Sequence, residues 1–577
     1  MEGQMQILFF LKFMLSNTFY QYFVMLSVLL YFIYKYLVKE EAIELYADDK
    51  SYFNSLIKHP FFDQPKLSYT FFSLFCFYLA GYAFFNVIYS EFSNHFDELI
   101  QFYVIFEGDI WAPNIWIGEG RFFPLGNFYF NLLLPVFNKA YMLHAIVFCQ
   151  TLILVFILYK LFDIFKVWQR LSLIAFILFI PNIFHMQYSL IYPDRDIIFL
   201  FALFVFFSKR FFETSQSKYL WYVLFVANIS LYFKEVAFSL FGGFSFIRLL
   251  YFYLNKEFSL KDVTIKKLSI IKRYPLEFGL SFCSLMYILS YFYFLKPWLY
   301  DPGYVYAHKK DLLSLLEIAV TDVIFVSFIV IFIFRAVYLI RNKNKFNPFW
   351  DSLAFGNLLY YLSYIFLGLL NSDLSYYSPA DFISVLYIFH FLIYLDKMKL
   401  KAFFAVLILL VSFFFANANV TSWIHTKQKS ISWEKTVLFL KDYVNKNGSI
   451  NLHTFFPSWY SSVGIAHYLS YYKVNVLKYN SNDLGDNHIK LYNKDTTDYP
   501  DGKCWNWDDH LCLKSEKIYK GDLVLVSPEG IPGSEFLYNE YNNKLDYKKL
   551  FDSFNVLPPL LKFDDPLYRN YIFVKIS

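Results

Sequence analysis

The chain has 577 residues, of which 57% are hydrophobic and 17% charged, with a formal net charge of +5 at pH 7. Soluble chains usually carry about 25% charged residues, so this composition excludes an ordinary soluble enzyme. The positive excess lies largely in short loops between apolar runs, where it reads as a topology signal rather than a nucleic-acid patch.

Taken in chain order, apolar runs lie near 7–38, 67–90, 141–160, 171–187, 197–213, 219–233, 236–254, 276–296, 313–340, 351–370, 379–396 and 400–418. Crossing a bilayer takes roughly 20 apolar residues per helix, so the pattern predicts an all-α polytopic membrane protein with about twelve transmembrane helices. Within hydrocarbon the backbone must satisfy its own hydrogen bonds, which makes each run a helix. The first run is too long for a signal peptide and lacks a small-residue cleavage site, so it is predicted to be retained. Aromatic residues make up 24% of the chain and follow the spans, which points to Phe as the generic apolar residue rather than to a stacking surface.

After residue 418 the texture changes. A helix is predicted over 432–447 with an Asn447-Gly448 exit, then strands at 450–455, 473–478, 522–527 and 570–576 and a helical stretch near 459–471. The expected organisation is a membrane core over 1–418, including a long loop at 91–140, and a soluble α/β domain over 419–577. Orientation follows from basic residues in alternate loops. These are Lys160, Lys166 and Arg170; Lys209, Arg210 and Lys218; Lys256, Lys266, Lys267, Lys272 and Arg273; Arg341, Lys343 and Lys345; and Lys397, Lys399 and Lys401. With that set cytoplasmic, the loop 91–140, the short loops near 188–196, 234–235, 297–312 and 371–378, and the C-terminal domain all lie outside. The expected location is a bacterial inner membrane, or the endoplasmic reticulum membrane in a eukaryote. Cys504 and Cys512 are then exposed to oxidising conditions and suggest a local disulfide, with a metal site through His510 as the alternative.

Ionisable residues at span ends carry most of the functional information. Four places lie on the predicted outer side. Asp97 and Glu98 open the long loop, and Asp109, Glu119 and Arg121 follow in EGDIWAPNIWIGEGRFFPLGNF. Asp194, Arg195 and Asp196 sit in YPDRD, and Lys234 and Glu235 occupy a turn between two spans. Bland readings exist for each, since loops carry charge and a Lys at a span end commonly snorkels to lipid headgroups. Together they offer carboxylates for proton transfer and cations for an anion, which suits group transfer from a lipid phosphate.

At these residues the sequence resembles the GT-C membrane glycosyltransferases, in the branch of the lipid A aminoarabinose transferases and protein O-mannosyltransferases. The resemblance lies in FDELIQFYVIFEGDIWAPNIWIGEGRFFPLGN, where Asp97 falls on the catalytic Asp and Gly108, Asp109, Trp111 and Pro113 on a GDW-P element. FKEVAF at 233–238 resembles a turn holding a lipid-phosphate ligand, and YYSPAD at 376–381 a Tyr-Pro turn before a late span. The acidic-basic pair before Pro in that family is replaced by Phe122 and Phe123 before Pro124.

The resemblance implies an inverting transfer of a sugar from a polyprenyl-phosphate donor to an extracytoplasmic glycan, lipid or protein acceptor. Asp97, Glu98, Asp109 and Asp194 are the implied catalytic carboxylates, with Asp97 as base. Arg121, Arg195 and Lys234 are the implied phosphate ligands, and Glu119, Asp196, Glu235 and Tyr377 line the substrate pocket. No cofactor is required, because side chains can neutralise a monophosphate; a divalent metal stays open and no metal ligands are assigned. The alternatives are a transporter or lipid flippase, or a catalytically degenerate scaffold of the same fold.

Overall fold

The computed structural model describes residues 2–37, 65–88, most of 102–255, 273–295, 316, 319–341, 346–366, 374–396, 401–456, most of 468–483, 518–527, 535–558 and 569–577. Asp97, Glu98, Glu119, Cys504 and Cys512 lie outside these, as do Gly108 and His510.

The first predicted span is two helices, α1 (Glu2–Ser16) and α2 (Thr18–Leu37), bent by 76° at the break. Asn17 is the cause: its side-chain oxygen accepts from the Phe19 backbone N–H at 3.0 Å, starting a new helix. Then come α3 (Pro65–Ala83), which ends in a π turn over Phe84–Ile88, and α4 (Ala140–Leu161). The run predicted at 171–187 is also broken, into α5 (Val167–Phe179) and α6 (Pro181–Tyr188), bent by 78°. Pro181 has no N–H to continue the α5 ladder and opens α6 instead.

The bundle continues with α7 (Pro193–Thr214), α8 (Ser217–Phe233), α9 (Ala237–Leu254), α10 (Pro275–Leu295), α11 (Val323–Arg341), α12 (Trp350–Phe366) and α13 (Ser378–Asp396). Among the described residues four helices are long and apolar enough to cross a membrane, or six if each bent pair is one span, against the twelve expected. Other helices are shorter or carry charge: α7 holds Asp194, Arg195, Asp196, Lys209, Arg210 and Glu213. Two pairs of opposite charges lie inside the bundle, the arrangement that lowers the cost of charge where water is scarce. Arg248 Nε on α9 meets Glu277 Oε1 on α10 at 2.6 Å with both side chains fully buried, and Arg335 on α11 meets Asp351 on α12 at 2.8 Å.

Helices α9 and α12 pack most intimately. A Cβ built on Gly243 would lie 3.0 Å from the Gly356 Cα, and one on Gly356 would collide with the Leu240 carbonyl oxygen. Two glycines thus let the backbones touch, the small-residue packing that helices use where lipid gives no hydrophobic drive.

A single helix, α14 (Lys401–Asn447, 47 residues), joins the run predicted at 400–418 to the helix predicted at 432–447 and passes unbroken through the expected domain boundary. Gly448, with φ +86°, ends it in the left-handed conformation. Beyond lies a five-stranded sheet of β3 (Ile450–Phe456), β4 (Val476–Asp483), β5 (Leu523–Val526), β6 (Tyr547–Asp552) and β7 (Tyr571–Lys575), in the order β4-β3-β5-β7-β6. The strands β4, β3 and β5 run parallel, while β7 is antiparallel to both β5 and β6. Strand β6 was not predicted, because YKKLFD alternates poorly and leaves one side mostly exposed. One face of the sheet packs Leu452, Leu523, Leu525 and Ile572 against Trp433, Val437 and Leu440 of α14.

Candidate functional site

The charged residues gather where α7, α9 and α13 begin and α8 ends. The loop before α4 is pinned there by its own polar residues. Trp111 donates its backbone N–H to Asn131 Oδ1 at 2.8 Å, and Asn131 returns an N–H to the Trp111 carbonyl at 3.0 Å. The Leu125 N–H bonds the Tyr232 carbonyl of α8 at 3.0 Å, and the Tyr287 hydroxyl of α10 donates to the Phe122 carbonyl at 2.7 Å. A short antiparallel pair, β1 (Ile115–Trp116) with β2 (Arg121–Phe122), then fixes Arg121 in register opposite Trp116. Phe122 and Phe123 are buried anchors for this arrangement.

Arg121 Nε donates to Glu235 Oε1 at 2.9 Å, and its guanidinium stands 4.7 Å from the Phe123 ring centre. Glu235 occupies the three-residue turn between α8 and α9, next to Lys234. Lys234 Nζ donates to Asp194 Oδ2 at 3.1 Å and lies 4.5 Å from the Tyr376 ring centre. Lys234 and Asp194 are each 1% exposed, so this lysine is held inward and does not snorkel. The four charges form two ion pairs, that of Lys234 and Asp194 buried and that of Arg121 and Glu235 half-buried, with Tyr360, Tyr364 and Tyr376 close enough to feel them. Asp194 Oδ1 and Glu235 Oε2 are buried without a hydrogen-bond partner among the described residues. A buried carboxylate oxygen with no donor is costly and calls for a partner such as a bound water or ligand.

The two carboxyls titrate in opposite directions, and both stand outside the apolar runs of their helices. Burial pushes Asp194 up, and Lys234 beside it offsets only part of that rise. Burial also acts to raise Glu235, but Arg121 and Lys234 together hold it below the usual carboxylate range. Asp194 is therefore the carboxyl that accepts a proton more readily, and Glu235 the fixed anion.

The first turn of α7 divides its charges. Asp194 faces Lys234, whereas Arg195 and Asp196 face α4. Arg195 Nη2 donates to the Tyr129 hydroxyl at 2.8 Å, Tyr129 donates to Asp196 Oδ2 at 3.0 Å, and Gln150 Nε2 donates to Asp196 Oδ1 at 2.9 Å. The predicted cluster is thus a pair of adjoining sites, one on each side of that turn. Asp109 is exposed in the pinned loop and stands in neither. Tyr377 is buried beside Tyr361, with ring centres 5.0 Å apart.

Tyr361 belongs to a third polar group that sequence reasoning passed over. Its hydroxyl donates to Asp381 Oδ1 at 2.7 Å, and Asn182 Nδ2 donates to Asp381 Oδ2 at 2.8 Å. Asp322 accepts the Ile324 N–H at 2.8 Å and caps α11. Asp322 and Asp381 fall inside the apolar runs predicted at 313–340 and 379–396, and an acid within such a run was the available signal. Tyr129 and Gln150 were also missed, because neutral residues in an aromatic-rich chain give no such signal. Among the described residues no group of three metal-ligating side chains occurs.

No protein-family model matches the chain, and no curated protein matches it. Among the solved structures to which the chain is similar is the crystal structure of ArnT from Cupriavidus metallidurans bound to undecaprenyl phosphate. The match has a TM-score of 0.45 at 9% identity and covers 88% of this chain and 98% of that one. At that score and identity the likeness assigns neither membership nor chemistry to this chain.

Proposed function

We propose that the protein is an integral membrane glycosyltransferase that moves a sugar from a polyprenyl-phosphate donor to an extracytoplasmic acceptor with inversion. The observation that carries this reading is the pair of cations, half-buried Arg121 and buried Lys234, brought together by the pinned loop and the α8–α9 turn. When an acceptor attacks the anomeric carbon, the bond to the phosphate oxygen breaks and negative charge accumulates on the leaving lipid phosphate. Preorganised Arg and Lys groups in a water-poor site stabilise that charge where it develops. Lys234 reaches the phosphate by exchanging its bond to Asp194, whose raised proton affinity makes the exchange easier. A carboxylate takes the acceptor proton; Asp97 is the base by resemblance, with Glu98 and Asp109 as the other loop carboxylates. Glu119 stays assigned to the same loop pocket. Side chains suffice for a monophosphate, so the reaction as written needs no cofactor. The Cys504–Cys512 disulfide belongs to the same reading, in which the sheet domain is extracytoplasmic.

The bends at Asn17 and Pro181 favour a second reading, since transporters use broken helices. Purified protein in detergent, given a polyprenyl-phosphoryl sugar and a cell-envelope acceptor extract, separates the two. Release of polyprenyl phosphate without energy input supports transfer. Donor left intact in that assay but moved between leaflets in vesicles supports transport and sinks the transferase reading.

A further inference from the structure

Helix α1 presents three different sides. Phe10, Phe13 and Met14 pack inward on the core, and Phe10 is buried. Leu8, Leu11 and Leu15 follow at helical spacing on a second side and are 68%, 47% and 77% exposed. Lys12 and Ser16, four residues apart and both exposed, mark the third, with Phe9 beside them. A stripe of exposed leucine bordered by a lysine fits a lipid surface. There the leucines enter the acyl region while the ammonium reaches the lipid phosphates, whose charge it complements.

The packing of α2 fixes how α1 stands in the bilayer. Near the site, the Phe19 ring centre is 5.9 Å from Phe122, and Phe23 is 5.2 Å from Tyr232 at the end of α8. Farther along, Tyr31 is 6.3 Å from Trp221 at the start of α8. Helix α2 therefore runs the length of α8, away from the site. Its 20 residues are about 30 Å long, enough to cross the hydrocarbon core alone. The 76° bend then turns α1 aside, so that Ile7–Ser16, about 15 Å long, advances only about 4 Å along the α2 direction. There α1 is fastened to the loop that carries Arg121. The Phe10 ring centre lies 5.0 Å from Phe128, and the Tyr20 hydroxyl donates to the Pro124 carbonyl at 3.4 Å.

We propose that α1 is an interfacial helix, seated in the lipid leaflet on the side of the site and not part of a membrane span. Leu8, Leu11 and Leu15 face the acyl chains and Lys12 the headgroups, while Phe10 and Phe13 hold the Arg121 loop from the membrane side. The proposal stands on the membrane reading of the bundle and does not need glycosyl transfer.

The test uses full-length protein in phosphatidylcholine nanodiscs, with a genetically incorporated fluorescent amino acid at Leu8, Leu15 or Ser16. Val28, exposed on α2, is labelled as the deep reference. Melting temperatures equal to wild type show that each labelled protein is folded, and Leu11 replaces either leucine position whose label lowers it. Quenching is measured with lipids carrying a nitroxide at the headgroup or deep in the acyl chain, and with iodide in the water. Leu8 and Leu15 should both be quenched best by the shallow nitroxide, at depths within about 3 Å of each other. Ser16 should respond to iodide, and Val28 to the deep nitroxide. In a continuous span the seven residues between Leu8 and Leu15 would separate their depths by about 10 Å, and that result overturns the proposal. So does iodide quenching of both leucine positions without lipid quenching, which would place α1 in water. Shielding of both from every quencher, as in a contact between two copies of the chain, overturns it as well.

Discussion

Asp194→Asn isolates the competition at the centre of the phosphate site. In the resting protein Lys234 is bound to Asp194 at 3.1 Å, and a lipid phosphate must share or replace that partner. Two unit charges about 4 Å apart interact by about 4 kcal/mol at an effective dielectric near 20, which sets an upper bound on the gain from removing the carboxylate. Much of this is screened or relaxed, so a tightening of about 10-fold in farnesyl phosphate affinity, equal to about 1.4 kcal/mol, is the expected result. Lys234→Met does the opposite, removing a charge-assisted hydrogen bond worth about 1.5–3 kcal/mol, or roughly 10- to 150-fold in affinity. Methionine keeps the stem's volume, and Asp194 can take up a proton once its partner is gone.

The pH dependence supplies a second reading of the same experiment. Asp194 has a raised native pKa, so falling pH protonates it early and frees Lys234. That strengthens phosphate binding in wild type. Protonation of the phosphate itself weakens binding over the range near its second pKa, about 6, and does so in both proteins. The ratio of wild-type to Asp194→Asn affinity should therefore rise toward unity as pH falls through the native Asp194 range. Calorimetry in nanodiscs across a pH series measures it. An Asp194→Asn protein that binds farnesyl phosphate no better than wild type at any pH refutes the competition argument.

Asp97→Asn should lower turnover by about 10²- to 10⁴-fold while leaving donor binding nearly unchanged, as loss of a general base does; steady-state kinetics beside a binding titration check this. Gly356→Leu should destabilise the bundle, because its side chain would strike the Leu240 carbonyl; a lowered melting temperature in detergent is the readout. Glu277→Ala strands Arg248 in the core and should cost about 3–5 kcal/mol, whereas Arg248→Met with Glu277→Leu should recover most of it. Reporter fusions after residue 430 should read extracytoplasmic and insertions near 260 cytoplasmic; the reverse at either place overturns the orientation.

Apolar runs made α4, α9, α10 and α11 legible directly, because length and hydropathy are enough when a helix is surrounded by lipid or by other helices. The two bends were harder. At Pro181 the signal was present but was absorbed into a run that looked continuous, and at Asn17 the break comes from a side-chain cap that hydropathy does not register. The continuity of α14 was hidden by the polar residues from Asn417 onward: Asn419 and Trp423 still contact the bundle, and packing against the sheet takes over from Trp433. For the site, charge at span ends identified Arg121, Asp194, Lys234 and Glu235, and three-dimensional packing joined them in pairs. The division at the first turn of α7 was not legible, since Asp194, Arg195 and Asp196 are adjacent in sequence and only helical geometry sends them to different neighbours. Gln150 gave no warning, because a single amide in an aromatic-rich segment is distinguished only by what surrounds it.

The most direct test of the phosphate site is an experimental structure with farnesyl phosphate bound. The account predicts phosphate oxygens at about 2.7–2.9 Å from both Lys234 Nζ and the Arg121 guanidinium, with the Lys234–Asp194 bond lengthened. A phosphate bound elsewhere, with the Arg121–Glu235 and Lys234–Asp194 pairs both intact, would contradict it.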